Sequence, residues 1–152
     1  MHKHFKYLGY ILRHKWFVFL ACCKLGIPLR GITHDLSKFR PSEWFPYVNF
    51  FYGDKKKNKA FDKAWFLHQT RNKHHWEYWC PPDENGVRTP QKIPQNIALE
   101  MIADWFGAGK AQGTAKTWYD IWLWYEANKM KIFLHPYTRK EVMSRLLSIW
   151  ID

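Results

Sequence analysis

Apolar side chains recur along this chain at intervals of three and four, the spacing of a buried helix face, and no pair of strands stands out between them. Residues 4–25 carry apolar groups around most of a helix, and Gly26 supplies its C-terminal stop. Pro28 opens a short second helix that ends after His34-Asp35. Pro41 opens a third over Ser42 to Tyr52, with Pro46 still in its first turns and Gly53 closing it. "GDKKKNK" reads as a solvated basic loop, and Lys55-Lys56-Lys57 within it says little more. Asn58 is the N-cap of a long helix that Pro81-Pro82 must terminate. "PPDENGVRTPQK" is a loop, Pro94 to Phe106 a helix, and "GAGKAQGT" a glycine-rich turn. Thr114 caps a helix running to about Lys129, and Thr138 with Glu141 forms a capping box for the last one, Arg139 to Trp150. The pattern predicts an all-α, single-domain helical bundle without internal repeats.

Composition bounds the class. At 152 residues, 47% hydrophobic and 19% aromatic, the chain can bury one substantial core. Its net charge of +11 points to an anionic partner: nucleotide, nucleic acid or membrane surface. Cys22, Cys23 and Cys80 lack framework spacing, which suggests reduced thiols and a cytoplasmic protein. The apolar run Trp16 to Cys23 is short, is followed by Lys24, and lacks a small-residue cleavage site, which argues against a signal peptide. No run approaches the roughly 18–20 apolar residues of a spanning helix. A soluble protein is expected.

Chemistry-bearing residues recur along this scaffold: His14, His34-Asp35, His68, His74-His75 and Asp104. Imidazole and carboxylate suit divalent ions such as Mn, Fe, Co, Ni and Zn. A vicinal His-Asp can hold one ion, or its aspartate can bridge two, and paired ions clamp both reacting oxygens of a phosphoester. On one long helix His68, Asn72 and His75 would share a stripe, with His74 turned about 100° away toward substrate or outer contacts. Glu100 and Asp104 share a helix face one turn apart. "GAGKAQGT" lacks the spacing of a Walker loop and does not follow a strand. It is either a plain interhelical turn or, with Lys110 and Gln112, a phosphate contact. His135 is a loop histidine unless it forms an anion pocket with Arg139. Most tryptophans of "WYDIWLWY" fit a core-facing helix, leaving a minority free for stacking.

"ITHDLSK" resembles the His-Asp-x-x-Lys core of the HD-domain superfamily of metal-dependent phosphohydrolases, and "HKWFVFLACCKLGI" resembles its first helix. "HHWEYW" and "EMIADW" fit its later histidines and closing aspartate, so the order runs from residue 14 to residue 104. The chain is also similar to a family of small, mostly phage-encoded proteins sharing HDLSKF, HHWEYW and GAGKAQG-like blocks, for which the compartment would be the host cytoplasm. The resemblance implies a helical bundle with one or two divalent ions. It implies His14, His34, Asp35 and Asp104 as the minimal ligands, His68 and His75 as the additional ones, and Lys38 against substrate phosphate.

The expected function is therefore metal-dependent hydrolysis of a nucleotide or related small phosphoester, cyclic nucleotide signals included, with Asp35 and Lys38 catalytic. Lys38, Lys110, Gln112, His74 and Arg139 are the expected substrate contacts. Two rivals remain: a di-iron oxygenase built on the same ligands, and a non-enzymatic protein that binds nucleic acid or nucleotide through its charge. For the hydrolase, binding to bulk nucleic acid should be weak and salt-sensitive.

Overall fold

A computed structural model describes residues 2–53 and 58–151. The Lys55-Lys56-Lys57 run lies outside the described residues. Among the described residues seven α-helices follow in order: α1 (His2–Lys24), α2 (Pro28–Thr33), α3 (Pro41–Tyr52), α4 (Lys59–Arg71), α5 (Gln95–Gln112), α6 (Trp118–Asn128) and α7 (Pro136–Ile151). Short 3₁₀ turns cover Leu36–Phe39 and Trp76–Trp79. Among the described residues there is no strand, only an isolated bridge between Pro82 and Arg88. The expected all-α bundle is the architecture observed. Among the described residues, no helix is long and apolar enough to cross a membrane.

α1 organises the molecule. Its buried stripe runs Tyr7, Ile11, His14, Val18, Ala21, Cys22, close to helical periodicity. The first part of that stripe packs with Tyr47 and Val48 of α3 and Phe61 and Ala64 of α4. The second part packs with Ile97, Met101 and Ile102 of α5, Tyr125 of α6, and Val142 and Leu146 of α7. His14 is thus the polar residue on α1 where the two apolar clusters meet.

Five boundaries differ from expectation. α2 stops at Thr33, before His34-Asp35, because Asp35 takes a φ of 56°, outside the right-handed helical region. α4 stops at Arg71, ten residues before Pro81, because the Asn72 side chain turns back and donates to the His68 carbonyl at 2.8 Å. α5 runs on through Gly107-Ala108-Gly109-Lys110 to Gln112, so most of the glycine-rich segment is helix and not a turn. Its end is set by Gly113, whose φ of 75° is the left-handed conformation that glycine adopts freely. Thr117, not Thr114, caps α6, in a capping box with Asp120. α7 begins at Pro136, so Thr138 lies inside its first turn, and its hydroxyl accepts instead from the Ile93 amide at 3.0 Å. That bond ties the loop before α5 to α7.

Candidate metal centre

The turn after α2 carries the vicinal pair. Gly31 lets α2 lie directly on α1, since a Cβ there would sit 2.8 Å from the Phe19 Cα. Lys15 of α1 donates to the backbone carbonyl of His34 and holds the turn in place. Asp35 then adopts φ 56°, the only non-glycine residue at positive φ among the described residues. Aspartate enters this region more readily than most residues, and such a conformation persists where its surroundings demand it.

The result is convergence. Nε2 of His14 lies 3.3 Å from Nε2 of His34, 3.3 Å from Oδ2 of Asp35 and 3.3 Å from Oδ1 of Asp104. Nε2 of His34 lies 3.3 Å from the same Asp35 oxygen and 3.2 Å from the same Asp104 oxygen. Donors about 2.0–2.1 Å from one ion at tetrahedral angles stand about 3.3 Å from each other. Five of the six separations among these residues therefore match a coordination shell, and the four offer ligand atoms all within 4.8 Å of one another.

A second group forms on the other oxygen of Asp35. Oδ1 lies 3.5 Å from Nε2 of His68 and 3.4 Å from Nε2 of His74, and His75 completes the set. Asp35 Oδ1, His74 Nε2 and His75 Nε2 are buried without a hydrogen-bond partner. Buried polar atoms are normally satisfied, so three orphans facing one point mark a place for a ligand. Both groups can hold a metal ion, and Asp35 belongs to each.

Carboxylates behind the imidazoles fix their orientation. Glu43, fully buried, receives the His68 Nδ1–H at 3.0 Å and is itself held by Arg71 at 2.7 Å and Ser37 at 2.9 Å. Glu100 lies 3.2 Å from His34 Nδ1 and 3.4 Å from His74 Nδ1, anchored by Arg30 at 2.8 Å. A carboxylate on one ring nitrogen leaves the other, Nε2, free to coordinate.

Electrostatics separate the imidazoles. Burial would push His34 down, but the charge of Asp35 and bonds to Asp104, Asp35 and Glu100 hold it well above the usual imidazole value. Burial, then neighbouring histidines, lower His74 and His75, which keeps both in the neutral form a metal requires. Burial would raise Asp35, yet His34, Lys38 and His68 hold it well below the usual carboxylate range. Hydrogen bonds from His14 and His34 likewise overcome burial at Asp104.

The other expected site residues fall in three places. Lys38 joins the centre through an ion pair with Asp35 Oδ2. His74 stands with the second group and also lines the cavity beside it; α4 ends at Arg71, so the expected stripe of His68, Asn72 and His75 on one helix does not exist. Lys110, Gln112 and Arg139 do not converge on the centre. Lys110 donates to the Lys116 carbonyl, Gln112 reaches the Tyr10 hydroxyl, and Arg139 clamps the carbonyls of Lys129 and Ile132 between α6 and α7. His135 is occupied by accepting from the Tyr137 amide. Glu43 was not legible as a site residue: one acid in the first turn of a helix looks like an ordinary partner for the helix dipole.

Glu43→Gln should weaken metal binding at the His68 side by about 10- to 100-fold, since it removes the charge behind that imidazole. Competition with a chelator of known affinity measures this, and unchanged affinity would show that Glu43 serves packing alone.

Neither a curated protein nor a solved structure matches the chain. A family model does, over residues 3–147, and its description carries no activity: the chain belongs to the family of unknown function DUF5662.

Proposed function

We propose that this protein is a metal-dependent phosphohydrolase of the HD type, acting on a nucleotide or related small phosphoester. The observation that carries the proposal is the division of Asp35, with Oδ2 turned into one histidine-carboxylate group and Oδ1 into another. A carboxylate so placed suits a pair of divalent transition ions, and the chain order of His14, His34-Asp35, His68, His74-His75 and Asp104 is the order of the resemblance. Bound there, such ions supply a water acid enough to ionise near neutral pH and positive charge at the phosphoester oxygens.

The chain's own groups do the rest. Glu43 and Glu100 keep His68, His34 and His74 presenting Nε2 inward. Lys38 is held as a cation: burial opposes its charge, but Asp35 and Asp104 outweigh burial and raise its pKa. Lys38, paired with Asp35 Oδ2 at the edge of the centre, would be the cation that meets substrate phosphate.

Purified protein should contain Mn, Fe, Co, Ni or Zn and release phosphate, or open a phosphodiester, without consuming oxygen. Lys38→Ala should keep the metal content and lose about 10²-fold in kcat, the scale for removing one electrostatic contact to a developing charge. Oxygen uptake with a substrate would favour the oxygenase. Tight, salt-sensitive nucleic-acid binding without turnover would favour a binding protein.

A further inference from the structure

A cavity of about 330 Å³ opens onto the candidate centre, with His74, His75 and Asp104 on its lining. The rest of its wall is largely indole: Trp65, Trp76, Trp105 and Trp124. Trp65 and Trp124 are 44% and 43% exposed, so they are not simply core residues. Trp124 is braced by Trp105 at a ring separation of 5.3 Å, and Trp105 in turn stacks on buried Tyr125 at 5.7 Å. Asn128 and Lys131, just past Trp124, add one amide and one positive charge to the lining. The Asn128 Nδ2 donates to the Trp124 carbonyl at 2.8 Å, which leaves its Oδ1 turned to accept.

We infer that this cavity binds the base of a mononucleotide, stacked on the indole wall, with its phosphate directed toward the candidate metal centre. Every nucleobase offers a π-face that stacks on indole, which a sugar phosphate lacks. Besides Asp104, the wall holds the carboxylate of Glu77, whose Oε1 accepts from the Gln69 amide at 2.8 Å. Size narrows the ligand too: ligand sites span about 300–1,000 Å³, and this one sits at the lower end, suited to one nucleotide and not to a run of them. A larger cavity, about 500 Å³ between α5 and α7, shares no residue with the donor groups and offers no place for a phosphate to react.

The inference rests on the hydrolase proposal for the phosphate but not for the base, and the two can fail separately. AMP, ribose 5-phosphate and inorganic phosphate are titrated into the purified protein and followed by tryptophan fluorescence and calorimetry. AMP should bind about tenfold or more tighter than ribose 5-phosphate, the lower range for stacking one base on an aromatic side chain. Trp124→Ala should erase most of that difference, and Trp124→Phe should preserve it. Trp65→Ala provides a second variant if Trp124→Ala does not fold by circular dichroism. Equal affinity for AMP and ribose 5-phosphate overturns the inference, as does a difference that survives both alanine variants. Release of phosphate from both compounds at equal efficiency, with no preference in binding, would leave the hydrolase and remove the base pocket. Selective AMP binding without turnover of any phosphoester would leave the pocket and remove the hydrolase.

Discussion

Asp35→Asn is expected to empty both donor groups at once and to lower the melting temperature of the metal-loaded protein by roughly 10 °C. Asparagine tolerates the left-handed backbone that residue 35 adopts, so the turn itself should survive. What is lost is the anionic bridge. Its Oδ2 stands with His14, His34 and Asp104, and its Oδ1 with His68 and His74, so neither group keeps its full set. A ligand present at a thousand times its dissociation constant stabilises the fold by about 4 kcal/mol. For a domain of this size each kcal/mol moves the melting temperature by about 2–4 °C. His14→Ala should behave differently, because His14 belongs to one group only and the other stays whole. Elemental analysis and thermal melts with and without chelator distinguish the two variants. Equal metal in wild type and Asp35→Asn would show that Asp35 is not a bridge.

The contrast between these residues and the others explains what the sequence made legible. His14, His34-Asp35 and Asp104 could be picked out because polar groups interrupt apolar stretches there, and because their order along the chain is distinctive. The ends of α1 and α3 and the start of α2 were legible because proline and glycine mark them: Gly26, Pro28, Pro41 and Gly53. The end of α4 was not, since it depends on the Asn72 amide reaching both the His68 carbonyl and Ser37 Oγ, a contact across 35 residues. That one boundary decided whether His74 was a ligand position or an outer one. Glu43 and Glu100 differ for a related reason. Glu100 shares a face with Asp104, whereas Glu43 meets His68 only after α3 and α4 have packed. Lys110, Gln112 and Arg139 looked chemical because charge or amide stood beside glycine or histidine, yet their partners are backbone carbonyls and a tyrosine hydroxyl.

The "GAGKAQG" segment carries the other large expected effect, and it is mechanical. A Cβ on Gly107 would lie 2.3 Å from Val18 Cγ2 and 2.9 Å from the Val18 backbone nitrogen. The methyl can rotate away; the backbone cannot. Gly107→Ala must therefore push α5 off α1. Val18 follows His14 by one turn of α1, and Gly107 follows Asp104 by one turn of α5, so the separation falls where those two candidate ligands meet. Overpacking of this kind costs about 1–3 kcal/mol, offset by up to about 1 kcal/mol from the better helix propensity of alanine. The net loss of stability of the metal-free fold should be modest, about 0–2 kcal/mol or up to about 8 °C. The loss of metal should be large, because a site must be held within about 0.5 Å of its productive geometry. Gly9→Ala is the matched control: it lies on α1 with nothing within 4 Å of its added Cβ. It should keep its metal and gain up to about 1 kcal/mol from helix propensity alone. Chelator competition and thermal melts on the two variants test the point, and Gly107→Ala loading metal as tightly as Gly9→Ala would refute the close-approach role.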